Sequence, residues 1–204
     1  KGWNKAQFSG DFSFFINTYS GITTPNYITV NNSSGKEIRV LESNEVLQKK
    51  IAELNLSKPE FFTFKLSSPV AGTNIDNLNG FMVKPKDFDA SKKYPVMFYT
   101  YGGPGSQTVM DEWMDENYFW YEYLAERGII TVSIDNRGTA ARGEAFEKSI
   151  YLQLGKYETE DMIQAVKYLR TLPYVDKNNI GVYGWSYGGY MAAMCITQAA
   201  DYFK

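Results

Sequence analysis

The 204 residues are enough chain for one sizeable core, or for one domain and part of another. At 44% apolar and 22% charged they read as globular, and a formal charge of −2, from 21 basic against 23 acidic side chains, gives no bias towards nucleic acid or an anionic membrane. No run approaches the roughly 18–20 apolar residues of a membrane span, and residues 1 to 20 lack a basic start followed by an apolar stretch, so no anchor or signal peptide is visible. Cys195 stands alone, which rules out an intrachain disulfide, and its apolar neighbours Met191 to Ile196 mark a buried structural thiol. No cofactor is expected. The chain contains no histidine, and that absence decides how the chemistry below is read.

From Lys1 to about Ser43 the pattern is all-β. Phe12, Phe14 and Ile16 alternate with polar or opposite-face residues, and two further runs, Tyr27 to Val30 and Lys36 to Leu41, flank the turn residues Asn31-Asn32-Ser33-Ser34-Gly35. Three or four strands of one sheet are predicted, with no internal repeat. Residues 44 to 56 read as a linker helix capped by Ser43 or Asn44, with Val46, Leu47, Ile51 and Leu54 on one side, and Lys58-Pro59 stops it. A domain boundary is placed near residue 57.

Glu60 to Leu66 and Asn77 to Val83 open a second sheet, and the chain then alternates strand with helix, the pattern of an α/β fold with parallel strands. Tyr94 to Tyr101 is almost wholly apolar, as a strand covered on both faces would be. A helix is predicted from Trp113 to Ala125, closed by Arg127 and Gly128, then a buried strand over residues 128 to 135 and a long connection from Asn136 to Gly155. Glu158, Glu160 and Asp161 open the next helix and read as its solvated start, while Asp135 and Arg137 read as loop braces. A short strand around Ile180 and Val182 follows, then a helix from Tyr187 to Ala200, apolar on all sides and so predicted to be buried.

Gly184-Trp185-Ser186-Tyr187-Gly188 joins those last two elements and fits Gly-x-Ser-x-Gly, the turn that lifts a nucleophilic serine between strand and helix. A serine hydroxyl is a weak nucleophile, so it needs a base and donors for the oxyanion that forms. The N–H of Tyr187 is one expected donor. The second is expected from Tyr101-Gly102-Gly103-Pro104-Gly105, where the Tyr101 phenol can donate in place of a backbone amide; a plain strand aromatic is the competing reading of Tyr101.

These stretches, with Asp135-Asn136-Arg137-Gly138 and Tyr157-Glu158-Thr159-Glu160-Asp161, resemble the prolyl oligopeptidase family of serine peptidases, in its dipeptidyl peptidase IV branch. The resemblance covers the whole chain. It implies that residues 1–43 end a β-propeller, that 44–56 form a linker helix, and that 57–204 are the N-terminal half of an α/β-hydrolase domain. It implies Ser186 as nucleophile, Tyr101 as side-chain oxyanion donor, and Tyr187 as backbone donor whose ring borders a proline pocket. The implied substrates are peptides with a free N-terminus. A homodimer and a periplasmic or extracellular setting are expected for the full-length protein by the same resemblance.

The pattern then breaks off. In this fold the acid and histidine of the triad follow the serine, yet only 18 residues follow Ser186, none is histidine, and Asp201 is wrongly placed for the acid. The segment alone is therefore expected to be inactive, as part of an exopeptidase that releases dipeptides with proline or alanine second. A tripeptidyl peptidase and a non-catalytic scaffold are the alternatives.

Overall fold

The structure, a computed structural model, describes residues 2–204. The chain forms two compact units: the first ends at Lys58 and takes in Met110–Trp120, and the second comprises Pro59–Val109 and Tyr121–Lys204.

The first unit carries an antiparallel sheet of four strands in sequence order: β1 (Trp3–Phe8), β2 (Phe14–Gly21), β3 (Thr24–Asn32) and β4 (Glu37–Glu42). The turn between β3 and β4 closes as its residues dictate. Gly35 takes φ +84°, and the Asn32 side chain accepts from the N–H groups of Ser34 and Lys36. Phe12, read as part of a strand, lies in the β1–β2 turn at φ 58°. Helix α1 (Glu45–Leu54) starts after Asn44, which is left-handed and spends its side-chain amide on the carbonyl of Asn26 at 2.6 Å instead of on the helix. Ile51 packs with Trp113 and Tyr118.

The helix predicted from Trp113 begins only at Glu116 (α2, Glu116–Ala125). Asp115 takes φ 49°, a left-handed conformation that a helix cannot contain, so the helix cannot run back through it to Trp113, whose N–H goes to the Ser20 hydroxyl at 3.1 Å.

The second unit is built on a mixed sheet of order β5-β6-β8-β7-β9, with β5 (Glu60–Lys65), β6 (Asn77–Val83), β7 (Tyr94–Tyr99), β8 (Ile130–Asp135) and β9 (Val175–Tyr183). β5, β6 and β8 pair antiparallel; β8, β7 and β9 pair parallel, with Phe98 opposite Val132 on one side and Val182 on the other. Phe98, Val132, Ile134, Ile180, Met162 and Val166 form the centre of one core. Each such side chain contributes about 1.5–3 kcal/mol through burial.

Three expectations fail here. β7 is fully buried on the Tyr94, Val96 and Phe98 face alone, its Pro95, Met97 and Tyr99 face being half-buried. Strand β8, by contrast, is buried at every position. Helix α5 (Tyr187–Gln198) buries Gly188, Met191 and Cys195 but exposes Tyr190 and Ile196, so it is apolar all round and covered on one side only. Strand β9, read as a short strand around Ile180 and Val182, starts already at Val175. The connection from Asn136 to Gly155 holds α3 (Glu144–Glu147) and a 3-10 turn (Lys148–Ile150), with Phe146 and Ile150 buried. Cys195 is buried as read, and desolvation pushes its thiol up to about 12, which makes it inert at neutral pH.

Candidate active site

Strand β9 ends at Tyr183 and α5 starts at Tyr187, so three residues reverse the chain. Two glycines allow this. A Cβ on Gly184 would stand 2.3 Å from the Thr100 carbonyl oxygen, and one on Gly188 would stand 2.1 Å from the same atom. No other residue fits either place. Between them Ser186 takes φ 54° and ψ −118°, a conformation that side-chain-bearing residues adopt at a cost of about 1–3 kcal/mol. The turn is tied by Gly188 N–H to the Trp185 carbonyl (2.8 Å) and Tyr190 N–H to the Ser186 carbonyl (3.1 Å). Ser186 itself is exposed. Tyr187 opens α5, and the first N–H groups of a helix have no acceptor within it, so its amide is a donor beside the serine.

Tyr101 lies just past the end of β7, in the loop and not in the strand. Its ring centroid is 6.4 Å from that of Tyr187, and Gly103 lies against both rings: a Cβ there would meet Tyr101 Cε1 at 2.9 Å and Tyr187 Cγ at 3.2 Å. The structure thus brings Ser186, Tyr187 and Tyr101 to one end of the parallel strands, where ligands of open α/β sheets bind.

Residues that were read as bland hold this loop in place. Asn136, fully buried, donates its amide to the carbonyl of Gly102 at 3.1 Å, and Gly102 takes φ +70° where a Cβ would stand 2.5 Å from Asn136 Oδ1. Asp135 accepts from the N–H groups of Thr108 and Val109 and from the Thr108 hydroxyl, bracing the far end of the same loop by hydrogen bonds; burial raises its carboxyl above the usual range. Arg137 reaches α4 (Lys156–Leu169), where its guanidinium and backbone N–H together grip Asp161 at 2.5–3.0 Å.

The solvated helix start is the clearest misreading. Glu158 and Asp161 are fully buried, and of the three acids only Glu160 meets solvent. Glu158 Oε2 accepts the N–H of Gly155, the residue before α4, and Oε1 accepts the Tyr187 hydroxyl at 2.7 Å. The spacing of Glu158 three residues after Gly155 is that of a helix-capping glutamate, a signal present in the sequence, although glycine has no side chain to complete the reciprocal box. Desolvation first and the Glu158 carboxylate second push the Tyr187 phenol well above the usual tyrosine range, so it remains a donor. Among the described residues no cluster of His, Cys, Asp or Glu is arranged to hold a metal, and no helix is long and apolar enough to cross a membrane.

Residues 116–204 match the profile of the prolyl oligopeptidase family. A probable dipeptidyl peptidase 4 of Emericella nidulans is 36% identical over 200 residues, 97% of this chain and 25% of its own length. The crystal structure of Porphyromonas gingivalis dipeptidyl peptidase 4 superposes with a TM-score of 0.91 at 41% identity, covering 100% of this chain and 28% of that one. Over residues 116–204 the chain belongs to the prolyl oligopeptidase family. A putative dipeptidyl aminopeptidase IV from Bacteroides ovatus also superposes over 100% of the chain, at 33% identity and a TM-score of 0.82. The family match includes α4, β9 and α5, and therefore the whole Ser186 turn. The chain spans about a quarter of the length of the curated relatives it matches.

Proposed function

We propose that this chain is the nucleophile-bearing part of a serine exopeptidase that releases N-terminal dipeptides with proline or alanine in the second position. Residues 1–43 are the end of a β-propeller in this reading, 44–56 a linker helix and 57–204 the first half of an α/β-hydrolase domain. The observation that carries the proposal is the strained, exposed Ser186 between two glycines that admit no side chain, with Tyr187 and Tyr101 beside it. Similarity to proteins named dipeptidyl peptidase 4 supports the dipeptide product of this reading.

Ser186 Oγ attacks the carbonyl carbon of the second residue of the peptide, and its proton passes to a histidine that this chain does not contain. The oxyanion accepts from the Tyr187 N–H and the Tyr101 O–H, and collapse expels the shortened peptide with its new amine protonated. Water then releases the dipeptide from Ser186. The Tyr187 ring borders the proline.

Tyr101→Phe keeps the ring and deletes the donor. In the complete polypeptide it is expected to lower Gly-Pro-nitroanilide turnover by about 10²-fold or more, mostly in kcat, because loss of one oxyanion donor costs that much. An unchanged rate would return Tyr101 to a packing role. In the same assay the 204-residue chain alone is expected to release no nitroaniline. A complete polypeptide that binds but does not cleave Gly-Pro peptides would instead establish a hydrolase-fold scaffold without activity.

A further inference from the structure

Glu158 is an acidic side chain buried without a basic partner. It is 0% exposed, and no ion pair among the described residues includes it. A carboxylate survives burial only when its oxygens are satisfied, and each oxygen here has one donor: the Gly155 N–H at 3.0 Å and the Tyr187 hydroxyl at 2.7 Å. Helix capping explains the first bond and the helix dipole favours the charge, but neither requires the second. A capping serine or aspartate at residue 155 would serve α4 alone, yet that position is glycine because a Cβ there would stand 2.1 Å from the Tyr190 hydroxyl oxygen.

The start of α4 is thus fastened to α5 at two points. Tyr190 donates to the Leu154 carbonyl at 3.3 Å and packs edge-on against the Tyr187 ring, centroids 5.3 Å apart. Glu158 holds the far end of the same Tyr187 ring. With Gly103 and Tyr101 on its other side, the ring has its hydroxyl end fixed by one charge-assisted bond and its Cγ end fixed by the turn that carries Ser186.

We propose that Glu158 is a positioning residue: it anchors the Tyr187 hydroxyl so that the ring forms a rigid wall selecting proline over alanine beside Ser186. This inference rests on the exopeptidase reading above. Glu158 touches no reacting atom and acts through Tyr187 alone.

The test is kcat/KM for Gly-Pro- and Gly-Ala-nitroanilide with the complete polypeptide, each variant checked for folding by circular dichroism and melting. Glu158→Leu removes both acceptors and is expected to lower the Gly-Pro value about 10-fold, the scale of one lost hydrogen bond to a charged group. The Gly-Pro to Gly-Ala preference should fall about 5-fold with it, since a loosened wall discriminates less. Glu158→Gln keeps one acceptor for Gly155 and can donate to the Tyr187 oxygen, so it should recover most of the loss and stay within about 2- to 3-fold of wild type.

In a Tyr187→Phe background either substitution should add less than about 2-fold, because the bond it breaks is already gone. Should Glu158→Leu fail to fold, Tyr187→Phe breaks the same bond from its other end and should by itself lower the Gly-Pro to Gly-Ala preference about 5-fold. A folded Glu158→Leu or Tyr187→Phe that keeps the proline preference, or a Glu158→Leu effect that simply multiplies with that of Tyr187→Phe, would overturn the inference while the wild type cleaves normally. A wild type that cleaves neither substrate would overturn the exopeptidase reading itself, and this inference with it.

Discussion

Ser186→Ala in the complete polypeptide is expected to cut kcat for Gly-Pro-nitroanilide on the order of 10⁶-fold, the loss that follows removal of a triad nucleophile. At 1.36 kcal/mol per decade this is about 8 kcal/mol of transition-state stabilisation. KM should change little, because the hydroxyl contributes to bond formation and not to holding the substrate. Folding should also be unaffected: alanine at φ 54° and ψ −118° meets the same backbone strain as serine. Ser186→Gly separates the two effects. It should be equally inactive yet raise stability by about 1 kcal/mol, since glycine adopts that conformation without steric cost. A glycine variant no more stable than the alanine variant would show that the turn stores no strain.

The second large effect concerns the pair that positions the Tyr101 loop. Arg137 holds Asp161, which is fully buried on α4, through its side chain and its own N–H. The neighbouring Asn136 holds the Gly102 carbonyl, and Gly105 N–H reaches the Gly138 carbonyl at 3.1 Å. Arg137→Met leaves a carboxylate buried and unpaired, which is expected to cost about 3–5 kcal/mol. Asp161→Leu leaves the arginine without its acceptor but able to reach Glu160, which lies 3.9 Å away and half-exposed, so its cost should be smaller. The double substitution Arg137→Met with Asp161→Leu should recover most of the loss, because an apolar pair of similar volume replaces a desolvated ion pair at little net cost. Denaturation midpoints of the three variants check the order. If Arg137→Met alone leaves the midpoint unchanged, the pair does not hold the loop.

The nucleophile turn was the easiest feature to see in the sequence, and for a physical reason. Gly184 and Gly188 are demanded by backbone approach to Thr100, so steric exclusion is written directly as residue type. The strands β6 to β8 and the last part of β9 were legible from apolar runs, the β3–β4 turn from its Asn, Ser and Gly residues, and α1 from its apolar side. What stayed hidden depends on neighbours distant in the chain. Glu158 and Asp161 look like surface acids by every local rule, and only Tyr187, 29 residues on, and Arg137, 24 residues back, make their burial tolerable. The exposed side of α5 was misread because its composition records no difference between the faces. The late start of α2 was likewise invisible, since it is set by the left-handed Asp115, an acid that local rules place readily in a first helical turn. Asn136 shows the same limit at the site itself: its amide holds Gly102, and no local pattern marks it.

The central claim, that Ser186 is an activated nucleophile, is tested most directly by a fluorophosphonate probe on the complete polypeptide, with the adduct located by peptide mass spectrometry. One adduct per chain is expected, on Ser186 within the peptide that includes Trp185 and Tyr187, forming in step with loss of Gly-Pro-nitroanilide cleavage. Inhibition accompanied by an adduct on another serine, or cleavage that persists with Ser186 fully modified, would contradict it.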